Sequence, residues 1–180
     1  MHKDVKELLF SSEAIAEKVN EIAKQLDEIY LDQEVIMLGI MKGSMPFFTD
    51  LARAVHFPVI FDFMCVSSYG ASTTSSGELK ITLDHRLNFE GKNVLIIEDI
   101  LDTGNTLFNL RERLTKENPA SLKICSFLDK PSRRLRDIEA DFIGFEIPDA
   151  FVIGYGLDYN EQYRQLPYIG ILKPEIYENH

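Results

Sequence analysis

The run from Val94 to Leu107, VLIIEDILDTGNTL, places chemistry at the end of an apolar segment. Glu98 and Asp99 close a stretch of β-branched and aliphatic residues that reads as a buried strand, and Asp102 adds a carboxylate three residues later. Thr103, Gly104, Asn105 and Thr106 then lead into a helical pattern. Small hydroxyl and glycine residues at a helix N-terminus offer free backbone amides, hydroxyl donors and the positive end of the helix dipole, which together suit a phosphate. Carboxylates on the strand side accept hydrogen bonds from sugar hydroxyls and supply the hard oxygens that Mg2+ prefers. Three acids crowded at one strand end are costly unless a ligand or metal accompanies them. A ribose phosphate answers both halves of this turn.

The elements that must position this turn follow from periodicity. Ile15, Val19, Ile22, Ala23, Leu26 and Ile29 fall at helical spacing, with Ser12 placed to cap the helix. Apolar or β-branched runs at 34–40, 58–67, 93–97 and 121–128 read as strands, and the stretches 45–55 and 106–116 as helices. Pro46 stands near a helix start, where proline is tolerated. Strands alternating with helices predict an α/β fold with a central, mainly parallel sheet flanked by helices. Further strands at 142–147, 151–155 and 168–172 predict a small hood over about 142–180, completed by the N-terminal region. Between two strand candidates, residues 68–78 (SYGASTTSSGE) form a small, polar, glycine-bearing loop, either a lid or a plain hairpin connection.

Bulk properties narrow the function classes. The chain has 180 residues, enough for one domain with a real core. A formal net charge of -10 argues against a nucleic-acid partner, since the surface repels phosphate backbones. Cys65 and Cys125 lie in apolar runs and read as reduced thiols of a cytoplasmic protein, with no metal-type Cys/His spacing. No signal peptide or membrane span is expected. His2, His56, His85 and His180 read as surface residues. Gly39 to Ser44 has the wrong order for a Walker phosphate loop, and no GxGxxG follows a first strand.

The 94–107 stretch strongly resembles the phosphoribosyl pyrophosphate signature of type I phosphoribosyltransferases. Four further segments narrow the resemblance to hypoxanthine-guanine phosphoribosyltransferases: Met41 to Ser44, Ser68 to Gly70, Asp129 to Pro131, and GFEIPDAFVIGYGLDYNEQYR from Gly144 to Arg164. The resemblance covers about residues 35 to 172. It implies a type I phosphoribosyltransferase fold in one domain over 1–180, with a flexible active-site loop at about 68–78.

The same resemblance distributes roles. Glu98 and Asp99 would face the ribose hydroxyls directly or through Mg2+, and Asp102 would handle the N7 proton of the base. The turn Asp102, Thr103, Gly104, Asn105, Thr106 would wrap the 5′-phosphate. Lys42, Gly43, Ser68, Tyr69 and Arg164 would serve the pyrophosphate, with a cis Met41–Lys42 peptide. Lys130, Phe151, Val152 and Asp158 would surround the base, Asp158 also lying near a second Mg2+. Alone, Lys130 would read as a solvated loop charge and Phe151 as a core residue. The implied substrates are phosphoribosyl pyrophosphate with hypoxanthine or guanine, and the implied assembly is a homodimer or homotetramer. A xanthine-preferring transferase and a non-catalytic regulator that senses the sugar pyrophosphate are the alternatives.

Overall fold

The computed structural model describes residues 1–68 and 79–178. In chain order its elements are β1 (Val5–Phe10), α1 (Ser12–Tyr30), β2 (Val35–Met41), α2 (Met45–Ala54), β3 (Val59–Ser68), β4 (Leu79–Leu83), β5 (Asn93–Leu101), α3 (Asn105–Thr115), β6 (Ser121–Asp129), β7 (Phe142–Glu146), β8 (Val152–Ile153), β9 (Ile169–Leu172) and α4 (Pro174–Tyr177). A six-stranded sheet runs in the order β4-β3-β2-β5-β6-β7, and a three-stranded sheet in the order β1-β9-β8. Within the large sheet only β4 is antiparallel to its neighbour.

Strand alternation explains how both faces are covered. Val35 and Met37 of β2, with Leu95 and Ile97 of β5, pack against α1 and α2. Ile36, Leu38 and Ile40, with Val94 and Ile96, turn to the other face and meet Leu107, Leu110 and Leu114 of α3. A sheet buried on both sides needs apolar residues at every position, which is why β2 and β5 read as continuous hydrophobic runs. Helix α1 is capped by Ser11, whose hydroxyl accepts from the Ala14 amide at 3.3 Å, one residue ahead of the expected Ser12.

Two assignments shift. Phe142–Glu146 pairs in parallel with β6, so it closes the large sheet rather than opening the hood. The small sheet begins only at Val152 and takes its outer strand from the N-terminus, where Val5 opposes Leu172 and Phe10 opposes Ile169. β1 escapes pattern reading because a single one of its residues, Val5, is fully buried and two register shifts interrupt its pairing. His85 is also not a surface residue. Its side chain is 9% exposed, stacks on Phe89 at 4.2 Å between ring centroids, and its Nε2 lies 3.0 Å from Glu117. The loop expected at 68–78 lies, from residue 69, outside the described residues. Among the described residues no helix is long and apolar enough to cross a membrane.

Phe47 is fully buried at the start of α2, with its ring 4.7 Å from that of Phe127 across the sheet face. Phe47→Ala is expected to lower stability by about 3–5 kcal/mol, the usual cost of deleting a core aromatic ring. Urea unfolding followed by circular dichroism measures it, and a loss under about 1 kcal/mol would show that the site collapses around the cavity.

Candidate active site

Strands β2, β5 and β6 are adjacent and parallel, so their C-terminal ends lie on one edge of the sheet. The chain leaves β2 into α2 on one face and leaves β5 into α3 on the other. Such a divergence opens a crevice between the two strand ends, where ligands of open α/β sheets bind. Two compartments occupy it. One encloses about 250 Å³ and is lined by Lys42, Gly43, Glu98, Asp99, Thr103, Gly104, Thr106 and Arg164, among others. The other encloses about 420 Å³ beside Lys130, Arg133, Asp149, Phe151, Val152 and Asp158. Asp99, Ile100 and Asp102 line both, which makes them one continuous cleft.

Glu98 and Asp99 belong to β5 itself, which continues to Leu101 rather than ending at Ile97 as the apolar run indicates. Burial pushes the Glu98 carboxyl well above the usual carboxylate range, and the neighbouring Asp99 charge adds to the shift. Burial likewise raises Asp99. Asp99 is braced by the Ile100 amide, which donates to its Oδ1 at 2.9 Å. A Cβ on Gly43 would come within 1.7 Å of Asp99 Oδ2, so only glycine lets the loop after β2 lie against this carboxylate.

The turn beyond β5 is shaped by Gly104, which adopts φ +80 and precedes the first residue of α3. That left-handed conformation favours glycine. Thr103, Gly104 and Thr106 face the smaller compartment. The Asn105 side chain does not: its Oδ1 accepts from Arg136 Nε at 2.9 Å, leaving the residue only its backbone to offer.

Across the cleft the Met41–Lys42 peptide is cis. Lys42 Nζ lies 2.9 Å from Glu161 Oε2, and the ammonium holds the Glu161 carboxyl below its ordinary value. Arg164 donates to the Gly156 carbonyl at 2.7 Å and pairs with Asp158 Oδ1 at 2.8 Å. The Arg164 Nε is buried without a hydrogen-bond partner among the described residues. Asp158 Oδ2 accepts from the Glu161 amide at 2.8 Å, so both oxygens of this expected metal ligand are already engaged.

In the larger compartment Lys130 is 5% exposed, and its Nζ donates to the Ala150 carbonyl at 2.9 Å. Asp102 and Asp149 stand at 4.0 and 3.9 Å from the same ammonium. Phe151 is half-exposed and stacks on Tyr177 at 5.1 Å, while Val152 is buried beside it. Two arginines were not foreseen. Arg133 Nε approaches Asp102 Oδ1 at 3.2 Å, although that oxygen makes no hydrogen bond among the described residues. Arg134 runs underneath, donating to the Leu101 and Asp102 carbonyls and pairing with Asp129. Nothing in the string Ser132-Arg133-Arg134 separates a cleft arginine from a buried one. The Ser68 side chain and all of Tyr69 fall outside the described residues.

A phosphoribosyl transferase domain model matches residues 6–160. The chain belongs to the phosphoribosyltransferase family. It is 51% identical over 179 residues to the hypoxanthine-guanine phosphoribosyltransferase of Bacillus subtilis (strain 168), covering 99% of both chains. To the enzyme of the same description from Staphylococcus aureus (strain Mu50 / ATCC 700699) it is 49% identical, covering 99% of this chain and 100% of the other. A crystal structure of a hypoxanthine phosphoribosyltransferase from Staphylococcus aureus superposes with a TM-score of 0.95 at 49% identity, over 98% of this chain and 96% of that one. The fold is that of type I phosphoribosyltransferases, and the chain is a transferase.

The donor set also fits a divalent cation. Glu98 and Asp99 supply hard oxygens that are costly to ionise unaided. Among the described residues no group of three or more metal-ligating side chains gathers. Gly43→Ala is expected to displace Asp99 and the loop that carries Lys42. A shift of about 1 Å at such a point costs roughly 100-fold in turnover. Steady-state phosphoribosyl transfer beside far-ultraviolet circular dichroism checks this, and unchanged kcat/KM would show that the loop tolerates a Cβ.

Proposed function

We propose that this phosphoribosyltransferase acts in purine salvage, moving the 5-phosphoribosyl group from phosphoribosyl pyrophosphate to N9 of hypoxanthine or guanine. The observation that carries the reading is the buried Lys130 ammonium at the wall of the larger compartment. One of its donors is spent on the Ala150 carbonyl, and the carboxylates of Asp102 and Asp149 stand off at 4.0 and 3.9 Å. A lysine donates to a 6-oxo group but is repelled by the hydrogens of a 6-amino group, which selects 6-oxopurines over adenine. Phe151 offers an aromatic face to the base and Val152 its backbone.

In the smaller compartment the amides and hydroxyls from Thr103 to Thr106 hold the 5′-phosphate at the N-terminus of α3. Glu98 and Asp99 receive the ribose hydroxyls. They would hold a Mg2+, which when bound supplies charge neutralisation for the departing pyrophosphate. Lys42, the amides around Gly43 and Arg164 receive the pyrophosphate oxygens. The N9–C1′ bond forms as the bond from C1′ to the pyrophosphate oxygen breaks. The proton on N7 passes to Asp102, which stands between the two compartments. The products are IMP or GMP with pyrophosphate.

Incubation with Mg2+, phosphoribosyl pyrophosphate and each of hypoxanthine, guanine, xanthine and adenine tests the base assignment. Nucleotide is expected from hypoxanthine and guanine. Efficient AMP formation would refute the role of Lys130, and a preference for xanthine would move the assignment within the 6-oxopurines. Formation of no nucleotide with any base, alongside tight binding of the sugar pyrophosphate, would mark a regulator.

Asp102→Asn is expected to cut single-turnover transfer by roughly 10²–10⁴-fold, the usual worth of a positioned acid or base. Nucleotide affinity should fall far less, because turn amides and the hydroxyls of Thr103 and Thr106 hold the phosphate. Thr106→Ala should show the reverse pattern. Rapid-quench rates and nucleotide dissociation constants for both variants decide it. Near-normal chemistry in Asp102→Asn would leave Asp102 a structural residue, with the N7 proton carried by water.

A further inference from the structure

Glu161 places one carboxylate oxygen between the two cations of the pyrophosphate side. Its Oε2 lies 2.9 Å from Lys42 Nζ and 3.5 Å from the Arg164 guanidinium. Lys42 and Glu161 stand 119 residues apart in the chain, so this bridge is a product of the fold and not of local sequence. Building on the reading of this half of the cleft given above, we propose that Glu161 is a stand-in anion: it competes with pyrophosphate for Lys42 and Arg164 and so sets how tightly that product is held.

The backbone beneath Glu161 is built to present it. Tyr159 and Gln162 exchange hydrogen bonds of 3.2 and 3.0 Å across a two-residue hairpin. The central residues Asn160 and Glu161 both have positive φ, 50° and 61°. Such turns favour Asn followed by Gly, because a side chain at the second position is disfavoured there. This chain carries Glu instead. The turn is pinned by Asp158, whose one oxygen takes the Glu161 amide while the other holds Arg164. The carboxylate is therefore delivered to the same guanidinium that its own turn anchors.

The strength of the contact suits exchange. Lys42 and Glu161 side chains are 62% and 64% exposed, and pairs so exposed contribute little to folding. Pyrophosphate brings several oxygens and more charge, and wins both cations when present. On its departure the carboxylate returns, so Lys42 is not left bare, Arg164 regains a second partner beside Asp158, and the product leaves against a smaller penalty. Release steps of this kind often limit turnover.

The test uses the full chain and magnesium pyrophosphate as the probe, titrated calorimetrically into wild type, Glu161→Gln, Glu161→Asp and Arg164→Ala. Glu161→Gln should bind the probe roughly 2- to 5-fold more tightly, the scale of an exposed ion pair. Glu161→Asp keeps the charge but shortens the reach, and it should also tighten binding. Ribose 5-phosphate affinity should not move in either. Unchanged or weaker binding by Glu161→Gln would overturn the proposal. So would a tightening in Glu161→Gln that Glu161→Asp does not share, since that would be a through-space effect of net charge. Arg164→Ala separates the two levels of argument. If it weakens the probe while Glu161→Gln does not tighten it, the pyrophosphate assignment stands and the stand-in falls. If it leaves binding intact, the assignment falls and the proposal with it.

Discussion

Two carboxylates held side by side in the interior end of β5 set the terms on which the cleft is built. A raised carboxyl pKa means that the folded protein takes up the proton more readily than the unfolded chain does. Ionising Glu98 and Asp99 therefore costs stability, a cost that sets in as pH rises above the ordinary carboxyl range and is complete above the raised values. The fold tolerates this because β5 is flanked on both sides by paired strands and covered on both faces by helices. A ligand that favours the charged form, such as a cation or a set of sugar hydroxyls, returns that cost as binding energy. The glycine at 43 follows from the same constraint, since no larger residue leaves space for the Asp99 carboxylate.

An acidic chain with net charge -10 must still hold a polyanion if the proposed reading is right. The solution is local. The N-terminus of α3 supplies amides, which carry no counter-charge, and each cation of the cleft is matched by a carboxylate. Lys42 has Glu161, Arg164 has Asp158, and Lys130 and Arg133 share Asp102 and Asp149. Cations balanced this way exert a weak field at long range and a strong one only on a ligand that displaces or shares their partners. Such a site discriminates by fit more than by charge.

What was legible in the sequence is what chain-local chemistry encodes. The strand–turn–helix at 94–107 announces itself because a continuous apolar run, acids, glycine and hydroxyls all fall within fourteen consecutive positions. The large sheet was legible for the same reason: strands buried on both faces are apolar throughout. The hood was legible in outline but not in its strands, because β1 is mostly exposed and β8 is two residues long, so neither leaves a periodic trace. Roles for Lys130, Phe151 and Arg164 came only through resemblance, for a lone lysine or phenylalanine has no signature of its own. Asn105 shows the limit of motif reading. It stands inside the signature, yet its side chain is turned away to Arg136.

Arg134 is the clearest case of a residue whose work is invisible from the chain. It stands in the string Ser132-Arg133-Arg134, and its side chain reaches past the end of β5 to Asp129. Its guanidinium donates to the carbonyls of Leu101 and Asp102 where the chain leaves the sheet. The Lys130 amide completes the same corner by donating to Leu101 at 2.9 Å. Asp102, the first residue past β5, and Lys130, the first past β6, are thereby tied through the Arg134–Asp129 ion pair and two carbonyls. The carboxylate that would take the proton and the ammonium that would read the purine cannot drift independently, because the same arginine holds the ground under both.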